Sequence, residues 1–233
     1  FQVKEGFAHR TPEWNPFVGN DYIAKIQKMF PERVIGLATI NPWLQRPKTY
    51  NYPPNEDGRP MDLPIKDEAI EELDRSILEL GLWGLKMHPL EHNYEINNPT
   101  AVYPLLQRLT ELQKISGRKM IVVIHGAGDS VNNTATAIAE TAKAFPELLF
   151  LMAHAGFIWC YGTTSAVSIP VPNLMLDLTL NVGPYSVKDA YKACGPSKFT
   201  IGTDGPFDLA EIKDPIVRAL TGDDEEAYQL IMG

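Results

Sequence analysis

Short, nearly continuous apolar runs alternate along this chain with longer stretches in which apolar residues recur every three or four positions. The runs at 33–40 (RVIGLATI), 82–88 (LWGLKMH), 120–125 (MIVVIH), 148–154 (LLFLMAH), 174–180 (LMLDLTL) and 199–203 (FTIGT) predict six strands. Continuous rather than alternating apolar character is the mark of parallel strands buried on both faces. Residues 1–3 read as the tail of an earlier strand. Helices are predicted between the runs. Positions 21–30 place Ile23, Ile26 and Phe30 on one face, and positions 67–80 do the same with Ile70, Leu73, Ile77 and Leu80. A helix at 102–115 is closed by Gly117, and one at 134–145 by Pro146. Ser186, with Asp189 three residues on, predicts a capping box for a helix ending at Gly195.

Strand–helix alternation of this kind implies βα units and a mainly parallel sheet, in a doubly wound open sheet or a closed barrel. The strand arithmetic favours an α/β fold of (β/α)8 TIM-barrel type. Residues 1–233 then form a single barrel domain carrying strands 2 or 3 to 8. Residue 1 is Phe, and the closing YQLIMG reads as a helix still in progress, so the expectation is a fragment whose first strand lies upstream. Such a fragment alone is expected to be poorly soluble, to bind Zn2+ weakly and to lack turnover. The proline-rich stretch 42–64 reads as a long loop over the barrel.

Composition narrows the function classes. Lys and Arg number 21 against 29 Asp and Glu, a net charge of −8, which disfavours a nucleic-acid or anionic-membrane partner. No apolar run approaches the ~18 residues that cross a bilayer. Two cysteines, Cys160 and Cys194, cannot build a disulfide framework, so a cytoplasmic location is the expectation. A small-molecule substrate is the expected partner, and a homo-oligomer is compatible with everything above.

Candidate chemistry sits at the strand ends. Lys86 and His88 (GLKMHP), His125 (VVIHGAG), His154 (LMAHAG) and Asp204 (IGTDGP) all lie at or near the C-terminal end of a predicted strand. In a barrel that rim carries the active site. Imidazoles and a carboxylate converging there suit a divalent ion, Zn2+ first, with Mn2+ or Fe2+ as alternatives. Each residue also has a plainer reading: a hydrogen-bonded packing histidine, an Asp-Gly turn, a His that merely opens the loop at Pro89. Lys86 follows two apolar residues, and burying its ammonium requires a carboxylate or ligand partner. Trp159 and Tyr161 follow the His154 strand and are candidates to line a pocket. Cys160 reads as apolar filler and His9 as a surface residue.

The segments FPERVIGLATINP (30–42), GLWGLKMHP (81–89), VVIHGAG (122–128), AFPELLFLMAHAG (144–156), NLMLDLT (173–179) and IGTDGPF (201–207) together resemble the amidohydrolase-related metal-dependent hydrolases. That group includes enzymes of the aminocarboxymuconate-semialdehyde decarboxylase type. The resemblance implies a (β/α)8 barrel with one or two metal ions. It implies that His125 is a metal ligand, and that His154 is a second ligand or a catalytic acid–base. Asp204 would bind metal and take a proton from the attacking water. Lys86 matches a position that bridges two metals when carbamylated and is a plain Lys in other relatives. The family's His-x-His pair at its first strand has no counterpart in the chain and would lie before residue 1.

The reading that follows is a metal-dependent hydrolase that opens an amide, ester or lactone bond of a small organic substrate through metal-activated water. Asp204 and His154 are its catalytic residues, and His125, His154 and Asp204 its metal ligands. Lys86, His88 and Trp159 are substrate-binding candidates. Its alternatives are a non-oxidative decarboxylase of a small unsaturated or aromatic acid, and a non-catalytic barrel with a vestigial site. Gly126-Ala127-Gly128 follows a strand, but Val131 breaks the dinucleotide fingerprint, and no phosphate-loop or HExxH motif occurs.

Overall fold

The computed structural model describes residues 16–43, 63–126, 130–155, 161–179, 184–202 and residue 225. Its strands are β1 (Ala38–Thr39), β2 (Gly84–Met87), β3 (Ile121–His125), β4 (Leu149–Ala153), β5 (Leu174–Asp177) and β6 (Phe199–Thr200). Each lies inside one of the six expected runs. They pair in chain order in one six-stranded sheet. The registers of β1 with β2, β4 with β5, and β5 with β6 are parallel.

The α-helices among the described residues are α1 (Pro16–Met29), α2 (Asp67–Asp74), α3 (Pro89–His92), α4 (Tyr103–Ser116), α5 (Ala135–Ala144), α6 (Tyr161–Ser168) and α7 (Pro184–Cys194). None of the described helices is long and apolar enough to cross a membrane. Two helices begin earlier than the pattern predicts, α1 and α7, and both begin on a proline, which the first helical turn accommodates. Ser186 therefore lies inside α7 and not ahead of it. The helix expected over 67–80 changes its winding midway, α2 running on into a π-helical turn at Arg75–Glu79. The expected strand tail at 1–3, residues 44–62 of the loop expected over 42–64, and the closing helix at 228–233 fall outside the described residues.

The chain divides into two compact units, residues 1–123 and 124–233. In the first, Leu73, Ile77, Leu82, Leu85, Leu105 and Leu109 are fully buried. Each such side chain contributes about 1.5–3 kcal/mol of transfer free energy. A polar knot ties its helices to β1. The Asn20 amide donates to Glu72 Oε1 (2.8 Å) and to the Thr39 carbonyl (3.2 Å), while its oxygen accepts the Thr39 N–H (2.9 Å). Glu72 also accepts from Arg75 Nε at 2.7 Å and from Ser76 Oγ at 3.3 Å. Arg118 donates to the carbonyls of Ile77 (2.8 Å) and Gly81 (2.7 Å), which the end of the π turn leaves over. Gly84 adopts φ 145°, and a Cβ there would run into the Ile121 carbonyl, so glycine lets β2 approach β3.

In the second unit Ile124, Ile138, Phe150, Leu174, Leu176 and Phe199 form the core. The Thr134 hydroxyl caps α5 by accepting the Ala137 N–H (3.2 Å). The Asn173 amide donates to the carbonyls of Ala142, Phe145 and Leu148 at 2.9, 3.1 and 3.0 Å, closing the α5–β4 turn. Lys198 Nζ donates to the carbonyls of Ser168 (3.2 Å), Val171 and Leu174 (3.0 Å), tying the end of α6 to the start of β5. These staples fix where each strand begins. The strand ends opposite are where the candidate chemistry lies.

Candidate functional site

β3 ends on His125, and His154 directly follows the last residue of β4. The Gly126 N–H donates to the Ala153 carbonyl at 3.1 Å, and a Cβ at Gly126 would strike the Met152 side chain. That approach brings the two imidazoles together. Their ring centroids are 4.8 Å apart and their planes lie at 73°. His154 is 5% exposed. Its backbone is left-handed, φ 66°, and so is that of Ala155 at φ 45°. For a residue with a Cβ this conformation costs roughly 1–2 kcal/mol.

His154 Nδ1 lies 3.2 Å from the Thr179 carbonyl oxygen. A carbonyl only accepts, so this contact places a proton on Nδ1 and leaves Nε2 as the lone-pair nitrogen of the neutral ring. That is the tautomer a metal-ligating or proton-accepting imidazole uses when a backbone carbonyl orients it.

Behind Thr179 stands a residue the sequence reading passed over. Asp177, 9% exposed, accepts the Thr179 hydroxyl on Oδ2 and lies 3.5 Å from the Thr200 hydroxyl through Oδ1. Gly202, just past β6, presses against the same pair, and a Cβ there would meet Thr179 Oγ1 and Asp177 Oδ1. The available signal was the acid that interrupts the apolar run LMLDLTL. Burying a carboxylate in a strand is costly unless it is matched with donors.

The donor set suits a divalent ion as far as it is described. Two imidazoles bound to one ion at ~2.0–2.1 Å, at right angles or tetrahedrally disposed, hold their centroids ~4.5–5.2 Å apart. The observed 4.8 Å fits. Among the described residues no three His, Cys, Asp or Glu side chains gather as a complete metal-binding group. The structure thus brings His125 and His154 together, with Asp177 as an unforeseen neighbour. Lys86 and His88 lie in the first unit: Lys86, half-buried, stands on β2 in register with Thr39, and His88 follows that strand. Asp204, Trp159, Cys160 and His9 fall outside the described residues.

The sequence profile of the amidohydrolase family matches residues 19–231. The chain belongs to the amidohydrolase family. No curated protein sequence gives a significant match. Among solved structures this amidohydrolase is similar to 5-carboxyvanillate decarboxylase LigW from Sphingomonas paucimobilis. The identity is 15%, over 94% of this chain and 70% of that one, with a TM-score of 0.63. It is similar as well to a TIM-barrel protein from Bordetella bronchiseptica (19% identity, 91% and 68% covered, TM-score 0.63). A third is the 5-carboxyvanillate decarboxylase of Novosphingobium aromaticivorans, solved with manganese and 4-hydroxy-3-methoxy-5-nitrobenzoic acid. There the identity is 14%, over 91% of this chain and 65% of that one, with a TM-score of 0.60. The fold of this amidohydrolase is accordingly α/β, of TIM-barrel type, as the strand pattern predicts.

Proposed function

We propose that this amidohydrolase is a metal-dependent decarboxylase, removing CO2 without oxidation from a small aromatic or unsaturated carboxylic acid. The carrying observation is the imidazole pair at adjacent strand ends, with His154 Nδ1 tied to a carbonyl, in a chain similar to decarboxylases of this family. Hydrolysis, the first expectation from sequence, has less support, because the two decarboxylases named above are 5-carboxyvanillate decarboxylases.

His125 and His154 would hold the ion together with Asp204. A bound divalent ion supplies positive charge that orients an acidic substrate and draws electron density from the ring or double bond. The remaining work belongs to the chain. The carboxylate-bearing C–C bond breaks, its electron pair stays on the substrate carbon, and a proton must be delivered to that carbon. Asp204, which would enter the step carrying a proton, give it to that carbon and regain one from solvent, is the proposed donor, and His154 helps to position the substrate next to it. Trp159 and Lys86 are proposed to contact substrate.

Full-length protein loaded with Mn2+ or Zn2+ and incubated in D2O with a panel of hydroxybenzoic and enoic acids provides the test. Release of one CO2 with one deuterium placed on the former carboxyl carbon is the expected result. Water addition or bond hydrolysis without CO2 would sink the decarboxylase reading. His125→Ala is expected to abolish metal retention. His154→Ala is expected to weaken metal retention less than His125→Ala does and to lower kcat by at least ~100-fold, the scale of one lost acid–base or ligand group.

A further inference from the structure

We infer that Asp177 is a positioning residue for His154: through the Thr179 hydroxyl it fixes the Thr179 carbonyl that selects the ring's Nδ1–H tautomer. This rests on the reading of His154 as a working residue of the site. The chain of contacts is short. Asp177 Oδ2 accepts the Thr179 hydroxyl, and the carbonyl of the same Thr179 lies 3.2 Å from His154 Nδ1. All three residues are at least nine-tenths buried, so water competes weakly for these groups.

Two observations set Asp177 apart from an incidental strand acid. Gly202 has no room for a side chain because it abuts Asp177 Oδ1 and Thr179 Oγ1. The pair therefore lies between His154, which the Thr179 carbonyl contacts, and the close-packed backbone of Gly202 just past β6. His154 in turn holds a left-handed backbone that its own residue type disfavours. The contact of Nδ1 with the Thr179 carbonyl holds the ring in place on that strained backbone. Free imidazole prefers the opposite tautomer, so without the carbonyl contact the proton would return to Nε2 and occupy the nitrogen the site uses.

The test reads the proton directly. Full-length protein labelled with 15N-histidine and treated with chelator is studied by two-dimensional ring NMR at about pH 8.5, where imidazole is neutral. His154→Gln assigns the signals. Wild type is expected to show His154 as a single Nδ1–H form. Asp177→Asn and Thr179→Val are expected to convert at least half of it to the Nε2–H form, whereas Thr179→Ser, which keeps the hydroxyl, retains the wild-type signature. An unchanged Nδ1–H signature in folded Asp177→Asn and Thr179→Val, or Nε2–H in wild type, overturns the proposal. Should Asp177→Asn fail to fold, the contrast between Thr179→Val and Thr179→Ser decides alone. A tautomer shift in protein that decarboxylates none of the acids offered would remove the reaction and leave the positioning role. Decarboxylation with no tautomer shift would do the reverse.

Discussion

Each unit of this protein buries a carboxylate, and the two are matched in different currencies of hydrogen bonding. Glu72, in the first unit, meets the Arg75 guanidinium, the Asn20 amide and the Ser76 hydroxyl, all presented by helices. Arg75 reaches on to Asp21 at 2.9 Å, and Glu72 first, Asp21 second, push the guanidinium further up its already high range. Asp177, in the second unit, meets the hydroxyls of Thr179 and Thr200 at the ends of strands, beside a histidine pair. A carboxylate facing a cation is electrostatically complete and acts as scaffold. One that takes hydroxyl protons aims dipoles, and here it aims them toward an imidazole.

The difference is sharpest in what each carboxylate's removal should do. Glu72→Ala removes one acceptor from the Asn20 amide, which keeps its bonds to Thr39, and part of Arg75's pairing, and is expected to cost about 2–4 kcal/mol of unfolding free energy, less than a fully buried pair because Arg75 keeps Asp21 and is partly exposed. Asp177→Asn keeps the shape and half the acceptors, and about 1–2 kcal/mol is expected. Yet turnover should fall by roughly 10–100-fold, the usual scale for a residue that orients a metal-site histidine. Urea titrations and steady-state kinetics on both variants settle the contrast. Equal stability losses with equal activities would erase it.

Much of this was legible in the sequence, and the exceptions have physical causes. All six described strands lie within apolar runs, because burial on both faces leaves a strand no polar alternation to hide behind. His125 and His154 were legible because each stands where such an apolar run of the sequence ends, with a glycine one or two positions on. α6 was not, since TTSAVS has no apolar stripe and its helix rests on packing of small residues. The π turn after Asp74 was invisible because it keeps the same apolar face as an α-helix, and the change of winding shows in the backbone, where the Leu80 N–H donates to the Arg75 carbonyl five residues back at 3.0 Å. Asp177 was passed over for a different reason. The contacts described for it are with two hydroxyls and a closely packed glycine, none of which carries a motif.

The staples of the second unit offer a smaller test of the same contrast, since Asn173 is neutral yet holds three carbonyls. Asn173→Ala leaves those acceptors without the amide and is expected to cost about 1–3 kcal/mol, measured by thermal or urea unfolding. The loss should leave the His154 tautomer and the kinetics unchanged, which separates a scaffold amide from the Asp177 contacts.

A smaller effect still involves two described ionisable groups of this unit that burial moves. Burial holds the Lys198 ammonium below the usual lysine value and pushes the Cys194 thiol up. Their stability slopes oppose each other. Where the folded Lys198 has shed its proton and the unfolded chain has not, stability rises with pH. Where unfolded Cys194 has ionised and the folded thiol has not, stability falls. The Lys198 window lies below the usual lysine value of about 10.4 and the Cys194 window above the usual thiol value of about 8.5, and the carbonyls around Lys198 favour its ammonium, which makes the Lys198 slope shallow. Cys194→Ala should therefore make the urea midpoint climb relative to wild type between about pH 8 and 10, and Lys198→Met should make it drop. Parallel curves for all three proteins would show that neither group is coupled to folding.

The smallest effect expected is at Ala155, and its smallness is the point. Ala155 is fully buried, so replacement by glycine removes a methyl worth ~0.8 kcal/mol and adds ~0.5–1 kcal/mol of unfolded-chain entropy. Its φ of 45°, however, lies in the region glycine occupies freely. Relief of ~1–2 kcal/mol of left-handed strain offsets both losses. Ala155→Gly should fall within ~0.5 kcal/mol of wild type in chemical denaturation. Ala137→Gly, at a buried position of α5 with ordinary helical backbone, should cost at least ~1 kcal/mol. Equal losses at the two positions would mean that the backbone following β4 is unstrained. In that case the Thr179 carbonyl holds the His154 ring on an unstrained backbone, and its grip on the ring would serve the tautomer alone.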